Sequence, residues 1–429
     1  MRSLLVRLHR WFGLAAALFL FVAGATGAVI SWDHELDEWL NPHLFHAATP
    51  GQPRSAYALT QAVEAADPRV RVRFMPLEIE SGHSFTVSVE PRVDPSTGKL
   101  FEPGYNQVAV DPVTGAVQGT RMWGEISLSR ENLLPFLYKL HYSMHIPDGA
   151  GIRWGIWLMG LIALGWAVDC LVALWLSFPN PAQWRKSFAF RWRQGGYKLA
   201  FDLHRSGGVW LWLLLLILAV TSVSMNLERE VVRPLVAAVS PLSPSPFASR
   251  TAVAPEQARE PRLTMAEAVA LAQAEARRLG WERPAGGVFV APEFGVMGVG
   301  FFASGNSHGD GGLGNPWLYF DAEDGSPVGR LVPGEGSAGD IFLQAQFPLH
   351  SGRILGLPGR ILVSLLGAAV ATLCVTGLIV WLKKRRARAG KAARRAGEPS
   401  PESARGGDGA LAGVRRGAES RGQPETEAA

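Results

Sequence analysis

The sequence predicts an α-helical membrane protein with four transmembrane helices in two parallel repeats, and a small α+β domain outside the membrane in each repeat. Three observations carry this expectation. Four long stretches are free or nearly free of charge, in a chain that is 48% hydrophobic and holds 15 Trp. The pattern Leu-His-Arg-x-x-Gly occurs twice, as Leu8-His9-Arg10 with Gly13 and as Leu203-His204-Arg205 with Gly208, each time at the mouth of an apolar stretch. The two long segments between apolar stretches carry the same order of helix, strand and turn signals. A length of 429 residues alone would suggest two or three soluble domains, but the composition overrides it.

The first apolar stretch, Trp11 to Trp32, runs 22 residues without a charge. That is about 33 Å of helix, enough to cross the hydrocarbon core. Arg2, Arg7 and Arg10 could head a signal peptide, but the run is too long and offers no good cleavage site, so it reads as a retained anchor. Basic residues cluster before the first span, between the second and third (Arg185, Lys186, Arg191, Arg193, Lys198) and after the fourth (Lys383 to Arg388), while Asp33, Glu35, Asp37 and Glu38 follow the first. By the positive-inside rule both termini are cytoplasmic. The chain then divides into N-terminus and first span (1–32), outer segment (33–151), second span (152–178), basic loop (179–206), third span (207–226), second outer segment (227–357), fourth span (358–382) and basic tail (383–429). From about Ala389 the tail is rich in Gly, Ala, Arg, Glu and Ser without an apolar period and reads as disordered. Cys170 and Cys374 lie inside apolar stretches, with no disulfide framework or metal-ligand spacing, and read as small packing residues.

The outer segments share a plan. Thr60 and Thr264 stand as N-caps before apolar-periodic runs. Strand-like runs follow at 84–89 and 288–302, then hairpin signals with matched spacing, Asp111 to Gly115 and Asp321 to Gly325. Each segment closes on a Leu-His pair, Leu140-His141 and Leu349-His350. Both halves would enter from the same side, so a pseudo-twofold axis along the membrane normal would pair His9 with His204 inside and His141 with His350 outside.

The chain resembles the PepSY-associated transmembrane proteins, a group that includes bacterial inner-membrane ferrisiderophore reductases. The resemblance covers residues 1 to about 386. It rests on the two Leu-His-Arg-x-x-Gly motifs, on Thr26-Gly27 and Thr376-Gly377, and on Pro348-Leu349-His350-Ser351-Gly352-Arg353 with Gly356-Leu357-Pro358-Gly359-Arg360. Span two departs from it, with Trp166-Ala167-Val168-Asp169 where apolar and Thr-Gly residues are usual, and His145 is additional. The resemblance implies two PepSY-type periplasmic domains, location in the inner membrane, and b-type haem held by histidines; with the pairing above, the expectation is two haems, each with two histidines, His9 with His204 and His141 with His350.

A haem takes axial ligands from two sides of a flat macrocycle, and two helices offering one imidazole each supply them. With both axial positions filled, such a group moves electrons and leaves no open site for oxygen. Gly13 and Gly208, one turn after the inner histidines, would leave room for the porphyrin. Arg10 and Arg205 could pair with its propionates, with Arg353 and Arg153 as outer equivalents. Each residue also has a plainer use. His9 could be an interfacial residue of a basic N-terminus, and His350 could cap a short interfacial helix. His141 and His145 stand at i and i+4, so they could share a metal, or one could ligate while the other flanks it; the matched Leu-His context favours His141. Asp169, an acid within a span, could serve proton or quinol chemistry or simply hydrogen-bond. His34, His43, His46, His83 and His308 lack a paired context and read as surface histidines. Trp157, Trp210 and Trp212 could pack on a haem or between helices.

The expectation is a haem b electron-transfer protein; the residues do not name its acceptor outside the membrane, and the resemblance implies a ferric siderophore or other ferric chelate. Because the loop at 179–206 is too short for a flavin or nicotinamide domain, a quinol or separate reductase would supply the electrons. No nucleic-acid partner is expected, and no catalytic residue beyond the haem ligands is assigned. The alternative is a non-enzymatic membrane module whose outer domains bind a peptide, peptidase or partner protein.

Overall fold

The computed structural model describes residues 1–247 and 250–397. Among the described residues, four helices are long and apolar enough to cross a membrane: α1 (Arg2–Ile30), α6 (Trp154–Ser177), α7 (Gly196–Leu227) and α11 (Leu357–Gly397). Between α1 and α6 lie α2 (Asp33–Leu40), α3 (Pro42–Phe45), α4 (Ala56–Ala66), β1 (Val70–Pro76), β2 (Phe85–Pro91), β3 (Gln107–Val110), β4 (Val117–Arg121) and α5 (Leu133–Ser143). Between α7 and α11 lie α8 (Arg233–Ala237), α9 (Met265–Arg278), β5 (Ala285–Ala291), β6 (Val296–Phe301), β7 (Trp317–Asp321), β8 (Pro327–Leu331) and α10 (Ala338–Ser351). The compact unit is Met1–Leu378, and the end of α11 belongs to a second unit beginning at Ile379. That helix passes through Ala389 to Gly397, correcting the expected loss of order there. Its Ala, Arg and Lys residues are good helix formers, which outweighs the missing apolar period. The tail expected beyond Gly397 lies outside the described residues.

The strands of the two outer segments share one sheet rather than forming two. Its order is β4-β3-β2-β1-β5-β6-β7-β8, antiparallel throughout, with the two halves joined where Phe74 faces Phe289 and Met75 faces Val288. An edge strand with unpaired backbone groups is a liability, and pairing β1 with β5 removes one from each half. One core follows, packing Leu59, Val63, Met75 and Phe85 with Val269, Ala272, Val288 and Phe301 under helices α4 and α9.

Local signals explain most elements. Thr264 caps α9 in a reciprocal box with Glu267. Ser55, not Thr60, caps α4: the helix begins a turn earlier, and Thr60 donates instead to the Ala56 carbonyl at 2.9 Å. The two hairpin turns are built alike. Asp111 Oδ1 accepts from the Val113 and Thr114 amides, Asp321 Oδ1 from those of Glu323 and Asp324, and Gly115 and Gly325 follow with φ of 80° and 73°. β1, absent from the expected elements, has its own signal in the alternation Val70-Arg71-Val72-Arg73-Phe74, whose arginines are held by Glu90.

Small residues set the helix crossings within the first unit. A Cβ on Gly24 of α1 would lie 2.7 Å from the Gly367 carbonyl oxygen of α11, and one on Gly165 of α6 would lie 2.4 Å from the ring of Phe12. Such close approach is how apolar helices gain packing energy in lipid. Cys170 packs among Leu215, Ala219 and Val370, as a small apolar residue would, and both cysteines are free thiols.

Candidate functional site

The two halves of the chain bring four histidines together as two facing pairs. His9 of α1 and His204 of α7 have ring centroids 6.1 Å apart, their planes tilted by 50°. His141 of α5 and His350 of α10 have centroids 6.0 Å apart, tilted by 59°. Seventeen positions separate His9 from Thr26, beneath His141, and His204 from Thr221, beneath His350. At 1.5 Å per residue this sets the two pairs about 26 Å apart along the helices.

Each imidazole is anchored through Nδ1 on a neighbouring helix. His9 Nδ1 lies 2.9 Å from both carboxylate oxygens of Asp169 on α6. His204 Nδ1 donates to the Leu373 carbonyl on α11 at 2.9 Å. His141 Nδ1 donates to the Ala23 carbonyl on α1 at 2.9 Å, with Thr26 Oγ1 at 3.2 Å. His350 Nδ1 lies 3.1 Å from Thr221 Oγ1 on α7. The hydroxyl protons of Thr26 and Thr221 are spent on the carbonyls of Val22 and Ile217, at 2.7 and 2.8 Å, so both oxygens act as acceptors here. In all four rings Nδ1 is therefore the donor, and a neutral ring then carries its lone pair on Nε2. Burial pushes the pKa of both His141 and His350 down, which favours their neutral form.

The Thr-Gly pairs acquire a reason. A Cβ on Gly27 would lie 2.9 Å from Cε1 of His141, and one on Gly377 would lie 2.8 Å from Cε1 of His204. Each glycine lets an imidazole lie against a helix backbone. Asp169 takes the corresponding role toward His9, with a carboxylate in place of a carbonyl.

The remaining sequence candidates divide. A Cβ at Gly13 or Gly208 would meet nothing within 4 Å, so both open on space. Arg10 and Arg205 lie over the rings of Trp11 and Phe201, and the Nε of each is buried with no hydrogen-bond partner. Arg353 does not match them: it is committed to Asp310 at 2.7 Å, because the glycine-rich loop at 305–314 brings that carboxylate to it. His145 is also corrected. α5 ends at Ser143, and Met144 and His145 both have φ of 53°, so the i, i+4 relation to His141 does not exist. His145 stacks on Phe136 and its Nε2 donates to the Phe136 carbonyl at 2.9 Å. Trp212 bonds the Cys170 carbonyl between α7 and α6, while Trp210 is exposed and bonds the Phe188 carbonyl of the basic loop.

A cavity of about 430 Å³ opens between the sheet, α2 and α5, the helix that carries His141. Tyr138 of α5, one turn before His141, forms part of its wall, with Phe74 and Phe302 from the sheet. Arg353, Arg360, Glu35 and Asp310 supply charge. Arg360 bonds Glu35 at 2.7 Å and holds that carboxyl below its usual range. No local sequence pattern announces this cavity, since its walls come from both halves.

No curated protein matches the chain. The family model described as the PepSY-associated TM region matches residues 6–384. With four membrane-length helices and a match across most of its length, the chain belongs to the PepSY-associated transmembrane family.

Proposed function

We propose that this protein is a haem b electron carrier of the bacterial inner membrane. It would take electrons from a quinol or reductase on the cytoplasmic side and deliver them to a ferric siderophore or other ferric chelate on the periplasmic side. The observation that carries this reading is the pair of facing imidazoles, found twice, with every ring anchored through Nδ1. Two metal–nitrogen bonds of about 2 Å, plus two imidazole radii of about 1 Å each, put the centroids of two axial histidines about 6 Å apart. The separations of 6.1 and 6.0 Å agree with that.

The surrounding residues fit the group. Gly13 and Gly208 leave space one turn from the inner pair, and the unpartnered Nε atoms of Arg10 and Arg205 are donors suited to propionates. When bound, each haem would supply reversible one-electron transfer. The protein's part is to hold the imidazoles and to set their basicity through the Nδ1 partner. That partner is a carboxylate for His9 and a carbonyl or hydroxyl for the other three, so His9 is the strongest donor of the four. The cavity beside Tyr138 is the place where a chelate would approach the outer pair.

We further infer that the chain is an internal duplication with PepSY-type folds in the two halves of the sheet. The mirrored strand order, the matched Asp-to-Gly turns and the repeated seventeen-residue spacing support this. The basic loop at 179–206 and the basic end of α11 support a cytoplasmic position for both.

The test is kinetic. Purified protein reduced with dithionite and mixed with a ferric hydroxamate should show rapid oxidation of its haem absorbance. His350→Ala should abolish that rapid phase while keeping the inner haem. Oxidation that is no faster with the ferric chelate than without it would leave an electron relay serving some other acceptor.

A further inference from the structure

Three residues outside the histidine pairs converge on one point. Glu38 projects from α2, His46 follows α3, and His83 precedes β2. Glu38 Oε1 lies 3.2 Å from His83 Nε2 and 3.5 Å from His46 Nε2, and the ligand atoms of all three lie within 4.8 Å of one another. The edges of a tetrahedron around a zinc-like ion with bonds of about 2.1 Å are about 3.4 Å long, so these atoms already stand at ligand spacing.

The backbone holds them there. His46 and His83 face each other across an antiparallel bridge, with the Ala47 amide donating to the Gly82 carbonyl at 2.9 Å and the Ser84 amide to that of Phe45 at 2.8 Å. Gln118 binds the His46 carbonyl at 2.8 Å. α2 is pinned by the adjacent Asp37, whose carboxylate pairs with Arg121 at 2.7 Å in a nearly buried contact. A preorganised site loses little entropy when an ion arrives.

A plain hydrogen bond from a neutral His83 leaves something unexplained. With Nε2 of the neutral ring donating to Glu38, its Nδ1 is an acceptor, and that atom is buried with no hydrogen-bond partner. An ion on Nε2 reverses the tautomer. Nδ1 then becomes a donor facing Glu80 Oε2, 3.8 Å away, in the carboxylate–histidine–metal arrangement that orients such ligands. His46 is half exposed, so an ion can reach the site from solvent, and His83 also lines the cavity described above.

We propose that Glu38, His46 and His83 bind one divalent first-row transition ion. Two imidazoles and one carboxylate suit zinc or ferrous iron and leave positions open for water or a further ligand. The site shares no residue with either imidazole pair and stands whether or not those pairs hold haem.

Zinc is the probe. Full-length protein in detergent, stripped with a chelator, is dialysed against micromolar Zn²⁺ and its zinc and haem are quantified per chain. The wild type should bind one more equivalent of zinc than the His46→Ala/His83→Ala variant. Glu38→Gln, which preserves shape and hydrogen bonding, should weaken binding by about tenfold or more. Zinc should also raise the thermal midpoint of the wild type and not that of the double variant, since an ion that binds only the folded state stabilises it. Equal zinc content in the wild type and the double variant, or no zinc bound by folded wild type, overturns the proposal. Unchanged haem content in the variants separates this result from any failure of the haem reading.

Discussion

Asp169 is the residue at which the two halves of the chain differ most in chemistry. Where His204 leans on a carbonyl, His9 leans on a carboxylate, which pulls its Nδ1 proton and makes the opposite nitrogen a stronger donor. A stronger donor favours the oxidised metal. Asp169→Asn should therefore raise the midpoint potential of the inner haem, by on the order of 50 mV, about 1 kcal/mol for one electron. The outer potential should stay put in a spectroelectrochemical titration; a shift of the outer haem alone would contradict the assignment. The glycines make a second, reciprocal prediction. Gly27→Val should drive His141 off its helix and cost the outer haem, and Gly377→Val should do the same to His204 and the inner one. Residual haem in each variant, identified by its potential, reads this directly. The pair His9 and His204 is legible because the Leu-His-Arg-x-x-Gly motif repeats, and the pair His141 and His350 because each intervening segment closes on Leu-His. His145 misled because sequence spacing does not reveal that the helix stops at Ser143. His46 and His83 read as isolated surface histidines because only a backbone bridge between distant segments brings them to Glu38.

At the scale of elements, apolar runs and turn chemistry located the spans, α9 and both hairpins, since these depend on neighbours in sequence. The seam between β1 and β5 depends on residues more than two hundred positions apart, and no local pattern announces it. Alternating runs identify strands but say nothing about which edges will meet. A further long-range contact hidden from the sequence is Asp37 with Arg121, both side chains less than a tenth exposed. It joins α2 to β4 and so fixes the floor of the cavity. Removing one partner strands a charge in a place with little water, which costs about 3–5 kcal/mol. Asp37→Ala should lower the thermal midpoint of the purified protein clearly, while Glu256→Ala, in an exposed turn with no side-chain partner described, should leave it nearly unchanged. Equal midpoints for the two would remove the buried pair from the account.

For the whole molecule, the proposed duplication would explain why two histidine pairs exist and why they lie at opposite ends of the helices. Each half contributes one histidine to each pair, and the sheet that joins the halves places a charged cavity against α5, one turn from His141. The central claim is that each facing pair holds a haem. The most direct measurement is a dithionite-reduced minus oxidised spectrum of the purified full-length protein, with haem quantified per chain. The account predicts a b-type α-band and two haems per chain, falling to about one in His9→Ala, His204→Ala, His141→Ala or His350→Ala and unchanged in His145→Ala. A colourless protein, or complete haem loss from every one of the four single variants, would contradict it.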